Sequence, residues 1–266
     1  MAFGAKTHIK HRENSSGRLV VLSDLHIWGT SDPLHRGFIN FLHEKLKEGD
    51  TLFLVGDVFD LFIGNKQIFV DKYSELIKTL ETVSKEKNIQ IYYTEGNHDF
   101  YLKPLFHSNK KITVLNEDYE YSWHGRTLLF SHGDKVNPSD YGYRVYKACL
   151  QSVFMRSVIK AVPGSVIDKI GSSMSATSRQ YHPNASDETV RMFRNYACEH
   201  ISGGVDFVVL GHSHFIDDIK FKVDDHEGQY INIGFPRRDM MYASIEPQDQ
   251  FFTFHSWCDN IAPHKL

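Results

Sequence analysis

Five short apolar runs in this chain each stop at residues that can bind a metal or move a proton. "RLVVLSD" ends at Asp24, "TLFLVGD" at Asp57 and "IQIYYTEGN" at Asn97; "RTLLFSHGD" contains His132, and "VDFVVLGHSH" reaches His212 and His214. Runs this short, rich in β-branched and aromatic residues, read as buried strands rather than helices. Between the early runs the period changes. Leu34, Phe38, Leu42 and Leu46 recur every four residues, with Pro33 before them and Gly49 after, which predicts a helix. "VDKYSELIKTLETVSKEKN" predicts another, ending at Asn88. Strands alternating with helices define an α/β core. In open α/β sheets ligands bind at the carboxyl ends of the strands, so the five polar clusters are expected at one edge.

The C-terminal third changes character. "IDDIKFKVDD", "GQYINIGF", "MMYASIEP" and "QFFTFHSW" predict successive strands joined by turns. Before them the alternation is interrupted from 136 to about 185. Amphipathic patterns broken near Pro163 and Gly164 predict an inserted helical cap there. "SDETVRMFRNYACEHISGG" then predicts a helix that returns to the core, N-capped by Ser186 and stopped at Gly203. Residues 1–16 read as a polar tail and 17–266 as one domain, since 266 residues with 41% hydrophobic content can bury a sizeable core.

Composition narrows the partners. A formal net charge of −3 with scattered basic residues gives no nucleic-acid footprint, although "PRRDMM" is locally positive. Three cysteines, Cys149, Cys198 and Cys258, without a C-x-x-C pair read as reduced thiols, hence a cytoplasmic protein. The start "MAFGAKTHIKHRENSSG" has no apolar core of a signal peptide, and no apolar stretch is long enough to span a bilayer.

The clusters share a donor chemistry. Carboxylate, amide oxygen and imidazole without thiolate suit Mn, Fe, Zn or Co rather than a structural zinc. If the strand continues through "DLH", alternation turns Asp24 and His26 the same way, and both reach one ion. The same holds for His212 and His214, unless loop backbone splays them towards two ions. A carboxylate at Asp57 offers two oxygens and can bridge a pair of ions. The histidines His35, His43, His107, His124, His200, His226 and His255 read as surface or packing residues.

The blocks "DLH", "GDVFD", "GNHD", "HGD" and "GHSH", in this order from residue 24 to 214, resemble the calcineurin-like metallophosphoesterases. The resemblance implies a four-layer α/β/β/α sandwich with two divalent ions, Mn²⁺ foremost. It assigns Asp24, His26 and His214 to one ion, Asn97, His132 and His212 to the other, and Asp57 to both. It sets His98 beside the reacting phosphate as a catalytic residue. Asp60, Asp99 and Asp134 read as supports for neighbouring histidines or as loop turns.

"LVGDVFDLFIG" and "HGDKVNPSDYGYRVYK", with the helical insertion before "GHSH", are similar to the UDP-2,3-diacylglucosamine pyrophosphohydrolase family of lipid A synthesis. This implies hydrolysis of a UDP-acyl-sugar to UMP and an acyl-sugar 1-phosphate, under a cap that covers the acyl chains. It makes Asn137, Asp140 and Tyr143 candidate substrate contacts. Ser175 and Arg179 join them from position in the cap and composition alone. Arg144, Lys147, Arg156 and Lys160, among apolar residues of the insertion, fit a solvated helix face, the commoner case, or peripheral contact with the cytoplasmic face of the inner membrane. The alternative is a metal-dependent phosphodiesterase or phosphatase of broader specificity. One position departs from the resembled family: its well-known members carry Arg where this chain has His98.

Overall fold

The computed structural model describes residues 17–64, 66–115, 118–137 and 186–257, with 152, 157, 161–164 and 166–167 from the predicted cap. The tail and most of the cap lie outside the described residues.

Two sheets form the centre. The first runs in the order β13-β12-β1-β2-β4-β6. Its strands β1 (Leu19–Leu22), β2 (Thr51–Val55), β4 (Gln90–Thr94) and β6 (Ile112–Leu115) are parallel. The antiparallel strands β12 (Met241–Ile245) and β13 (Thr253–Ser256) extend one edge. The second sheet runs β10-β11-β9-β8-β7. In it β8 (Arg126–Ser131), β9 (Phe207–Leu210) and β11 (His226–Ile233) are parallel, flanked by β7 (Tyr119–Trp123) and β10 (Ile216–Val223). A small parallel pair joins β3 (Phe62–Ile63) to β5 (Asp99–Phe100).

Strand alternation divides the apolar residues into three clusters and so builds the layers. Val20, Leu22, Leu52, Leu54, Ile91 and Tyr93 face outwards with the helices α1 (Pro33–Glu44) and α3 (Ser74–Glu86). Leu19, Val21, Phe53 and Val55 face inwards, onto Leu128, Phe130, Phe207 and Val209 of the second sheet. A short helix α4 (Lys103–Phe106) precedes β6; on the far side of the second sheet Leu129, Val208 and Leu210 cover Phe193, Ala197 and Ile201 of α5 (Asp187–Ser202). The result is the expected α/β/β/α sandwich.

The local signals hold where they were strongest. Asp32 caps α1 by accepting the Leu34 N–H at 3.0 Å, with Pro33 at the first turn. Ser186 caps α5 through the Thr189 N–H, and Gly203 ends it. The helix expected after Val70 divides instead at Tyr73 into α2 (Gln67–Lys72) and α3. Tyr73 is fully buried and packs its ring against Phe59 and Phe62, so the tertiary contact decides the break. Val162 of the cap region accepts a hydrogen bond from the Lys66 ammonium beside α2.

Phe53 sits at the seam between the sheets. It stacks on Phe130 with ring centres 3.7 Å apart and on Tyr92 at 4.8 Å, and meets Tyr121 edge-on at 5.2 Å. Phe53→Ala is therefore expected to cost about 3–5 kcal/mol of stability. A urea titration checks this; an unchanged midpoint would mean that the seam repacks around the vacancy.

Candidate metal centre

Asp24, Asp57 and Asn97 follow β1, β2 and β4, and His132 and His212 follow β8 and β9. Because the sheets face each other with parallel strands, these loops meet. The loops after β1 and β2 run side by side: the Asp24 N–H donates to Gly56 O, His26 N–H to Asp57 O and Ile27 N–H to Val58 O. The Gly211 N–H donates to His132 O in the same way on the second sheet.

Among the donor groups that result, two contain the expected ligands. In the first, Asp24, His26 and His214 place their ligand atoms within 4.8 Å of one another. His26 Nε2 and His214 Nε2 stand 3.1 Å apart, and His214 Nε2 is 3.5 Å from Asp24 Oδ1. In the second, Asp57, His132 and His212 meet the same limit. Asn97 Oδ1 lies 3.0 Å from His132 Nε2 and 3.1 Å from His212 Nδ1. Asp57 Oδ2 is 3.3 Å from His132 Nε2 and 3.7 Å from His26 Nε2, so one carboxylate oxygen faces both clusters.

The route by which these residues converge differs from alternation. β1 ends at Leu22, before "DLH". Asp24, His26, Asp57, His212 and His214 all adopt the left-handed conformation, with φ of 53°, 46°, 54°, 66° and 56°. Such a backbone is uncommon for residues other than glycine and costs on the order of 1–3 kcal/mol at each position. It bends each loop sharply enough to return a side chain to the edge. His212 and His214 are splayed, one to each cluster, as loop backbone permits and a continuing strand does not.

Glycine makes room rather than a turn at two of the ligand loops. A Cβ on Gly96 would lie 2.1 Å from Asp57 Oδ1, and one on Gly211 would lie 2.6 Å from Asp24 Oδ2.

The electrostatics fit cations. Burial opposes ionisation of Asp57, yet His132, His98 and His26 hold its carboxyl well below the ordinary range. Burial likewise opposes protonation of His132, but Asp57, Asp24 and Asp134 raise it to about 10. The carboxylates that favour a proton on His132 would equally favour a divalent ion there, which would displace that proton. Burial and the charge of His132 lower His212 to about 4, which favours the neutral ring that metal binding needs. His132 Nδ1 lies 3.0 Å from Val55 O, so its N–H donates there and Nε2 faces the oxygens of Asn97 and Asp57. Lone-pair donors converging on a common space suit a divalent ion.

Three supporting acids now have distinct roles. Asp99 accepts the N–H groups of Asp57 (3.0 Å), Val58 (2.8 Å) and Gly96 (2.9 Å), and the Tyr93 hydroxyl (2.5 Å). Burial, followed by the Asp57 charge, pushes its carboxyl up to about 7 against the pull of these donors. It therefore ties the loops after β2 and β4 together and does not hold the His98 ring. The Asp60 carboxylate lies within 4.8 Å of ring nitrogens of His26 and His98, and its carbonyl accepts from His98 Nδ1 at 2.7 Å. Asp134 acts on His132 by charge.

His98 is half-buried beside the first cluster. Its N–H donates to Asp57 Oδ1 at 2.9 Å, and its ring meets His26 edge-on at 4.7 Å. Asn137 is half-buried after the β8 loop. Asp140, Tyr143, Ser175 and Arg179, the other candidate substrate contacts, lie outside the described residues, as do the cap's basic residues Arg144, Lys147, Arg156 and Lys160. Cys198 is a free thiol.

Sequence reasoning missed Phe235, Arg237 and Arg238. They follow β11, a sixth strand whose carboxyl end lies at the same edge. The signal was present: "YINIGF" is another apolar run that ends in a polar cluster, "PRRD".

Over residues 17–215 the sequence matches the Calcineurin-like phosphoesterase family, and the chain belongs to that family. It is a metal-dependent phosphoester hydrolase. Its similar relatives include UDP-2,3-diacylglucosamine hydrolases from three bacteria. That of Psychromonas ingrahamii is 23% identical, over 86% of this chain and 94% of its own. Those of Escherichia coli O7:K1 and Photorhabdus laumondii are 25% and 26% identical over 73% of this chain and 80% of theirs. Among the described residues no helix is long and apolar enough to cross a membrane.

Asp99→Asn sets an NH₂ group against backbone N–H donors. The expected cost is about 2–3 kcal/mol of stability, with divalent-ion affinity weakened roughly tenfold. Urea denaturation and isothermal titration with Mn²⁺ measure the two effects; wild-type values in both would remove Asp99 from its anchoring role.

Proposed function

We propose that this enzyme hydrolyses the pyrophosphate of UDP-2,3-diacylglucosamine, or of a similar UDP-acyl-sugar, to UMP and an acyl-sugar 1-phosphate. The observation that carries the phosphoryl chemistry is the Asp57 oxygen facing both donor clusters. In this reading Asp24, His26 and His214 hold one ion, Asn97, His132 and His212 hold the second, and Asp57 is shared. The donors accept several metals, with Mn²⁺ the first choice. When bound, such ions neutralise phosphoryl oxygens and acidify water near neutral pH.

The chain's own groups orient and complete the reaction. Donation from His132 Nδ1 to Val55 O fixes which nitrogen faces the site. Donation from His98 Nδ1 to Asp60 O fixes the orientation of the His98 ring. Placed there, His98 stabilises charge developing on the phosphate. A nucleoside monophosphate departs without needing a proton, so positive charge matters more than proton transfer at this position. A histidine therefore suits this leaving group as an arginine does.

The substrate assignment rests on the names of the relatives and on two features of this chain. One is the sequence match through "GDVFDLFIG" and the residues after "HGD". The other is apolar exposure: Trp28, Phe215 and Val166 are the large apolar side chains exposed among the described residues. Trp28 and Phe215 follow His26 and His214 closely in sequence, and Val166 belongs to the cap region. An acyl chain gives such side chains a partner, and peripheral contact with a membrane surface accords with that substrate.

Purified protein with Mn²⁺ is expected to release UMP from UDP-2,3-diacylglucosamine, to lose that activity on chelation and to regain it with Mn²⁺. Turnover of simple phosphodiesters with none of this lipid would replace the assignment with a broader phosphodiesterase. His98→Ala is expected to lower kcat by roughly 10²–10³-fold, as loss of a transition-state donor does. His98→Arg is expected to stay within about tenfold of wild type, because a guanidinium supplies hydrogen-bond donors and positive charge to the phosphate at that position. Steady-state kinetics on both variants test this.

A further inference from the structure

The segment after β11 addresses the two histidines of the first cluster from behind. The Phe235 ring stacks on His214, with centres 4.7 Å apart and planes 11° from parallel, and meets His26 edge-on at 5.9 Å. Two residues later, Arg237 Nη2 donates to the backbone carbonyl of His26 at 3.0 Å. The next residue, Arg238, donates through Nη2 to the carbonyl of His214 at 2.8 Å. These are the two histidines whose Nε2 atoms stand 3.1 Å apart, and both have left-handed backbone.

The arginines are themselves held. Arg237 forks onto both carboxylate oxygens of Asp32, whose side chain is fully buried. Asp32 also accepts the Trp28 and Leu34 N–H groups, so one ion pair secures the turn just past His26 and the start of α1 (Pro33–Glu44). Arg238 forks onto Asp239, which also accepts the Phe235 N–H. A guanidinium can meet a carboxylate and a carbonyl together in one plane, which a lysine ammonium cannot reproduce.

We propose that Arg237 and Arg238 are positioning residues for one of the two ions, the one held by Asp24, His26 and His214. Each arginine pins the carbonyl of a strained histidine, and together they set the spacing of the two imidazoles. The backbone carbonyls that the two arginines meet belong to His26 and His214, both of the first cluster. The inference rests on the two-ion reading above, and one experiment separates them.

Calorimetric titration of the chelated protein with Mn²⁺ is expected to give two ions per chain for the wild type. Arg237→Lys and Arg238→Gln are each expected to weaken one of the two binding steps by about 10–100-fold and leave the other unchanged. Lys keeps a positive charge beside buried Asp32, so that variant guards against unfolding. Leu80→Ala, a core change in α3 (Ser74–Glu86) remote from the site, serves as a control for lost stability. It is expected to lower the melting temperature and keep both steps. Two unaltered steps in both arginine variants would overturn the inference and leave the two-ion reading standing. Equal weakening of both steps would overturn it too, by showing a general loosening. A wild type that takes no ion would overturn the two-ion reading itself.

Discussion

A buried carboxylate that is not a metal ligand holds the site together. Asp99 gathers N–H groups from the loops after two neighbouring parallel strands, together with the Tyr93 hydroxyl, at a point with no exposure to water. Those N–H groups belong to chain that has left the sheet and has no ladder partner. Without an acceptor each would carry its own desolvation penalty. One side chain satisfies three of them, and by doing so fixes Asp57 against Gly96 and Asn97. The position of Asp57 then sets the His98 N–H and the spacing to His132 and His26.

The remaining candidate donors are held by comparable devices. Asp24 accepts the His212 N–H with both oxygens at 3.0 Å, which links the first loop of one sheet to the last ligand loop of the other. Asn232 donates to Gly211 O and lies within hydrogen-bond distance of Ser213 Oγ, steadying the turn that splays His212 from His214. Left-handed backbone at five ligand residues is unfavourable locally and persists because these bonds over-determine it. Bound cations would add to that restraint, since lone-pair donors this close repel one another until a positive charge lies between them.

A good part of this was legible in the chain. "RLVVLSD" and "TLFLVGD" are strands because a run buried on both faces leaves no polar alternation, and their neighbours in the sheet are other such runs. The period of α1, with Asp32 and Pro33 before it, needed only local chemistry to read. Asp24, Asp57, Asn97, His132, His212 and His214 stand out in the sequence because polar residues at the ends of apolar strands have few structural reasons to be there. The division at Tyr73 was not legible, because an aromatic contact with Phe59 and Phe62 overrides a continuous helical pattern. Nor was the role of "PRRD", because nothing local to it indicates that β11 ends at the edge where β1 and β9 end.

By itself, then, the sequence determined the classes of element, the donor types and the family. These follow from periodicity and from residue chemistry, which act over a few positions. The tertiary structure alone decided which donors share an ion site. His212 and His214 are two residues apart and serve different clusters, while His26 and His214 are far apart in the chain and nearly touch. That sorting depends on left-handed turns held by carboxylates and guanidinium groups from other strands, and a bond between distant loops exists only once both sheets have packed.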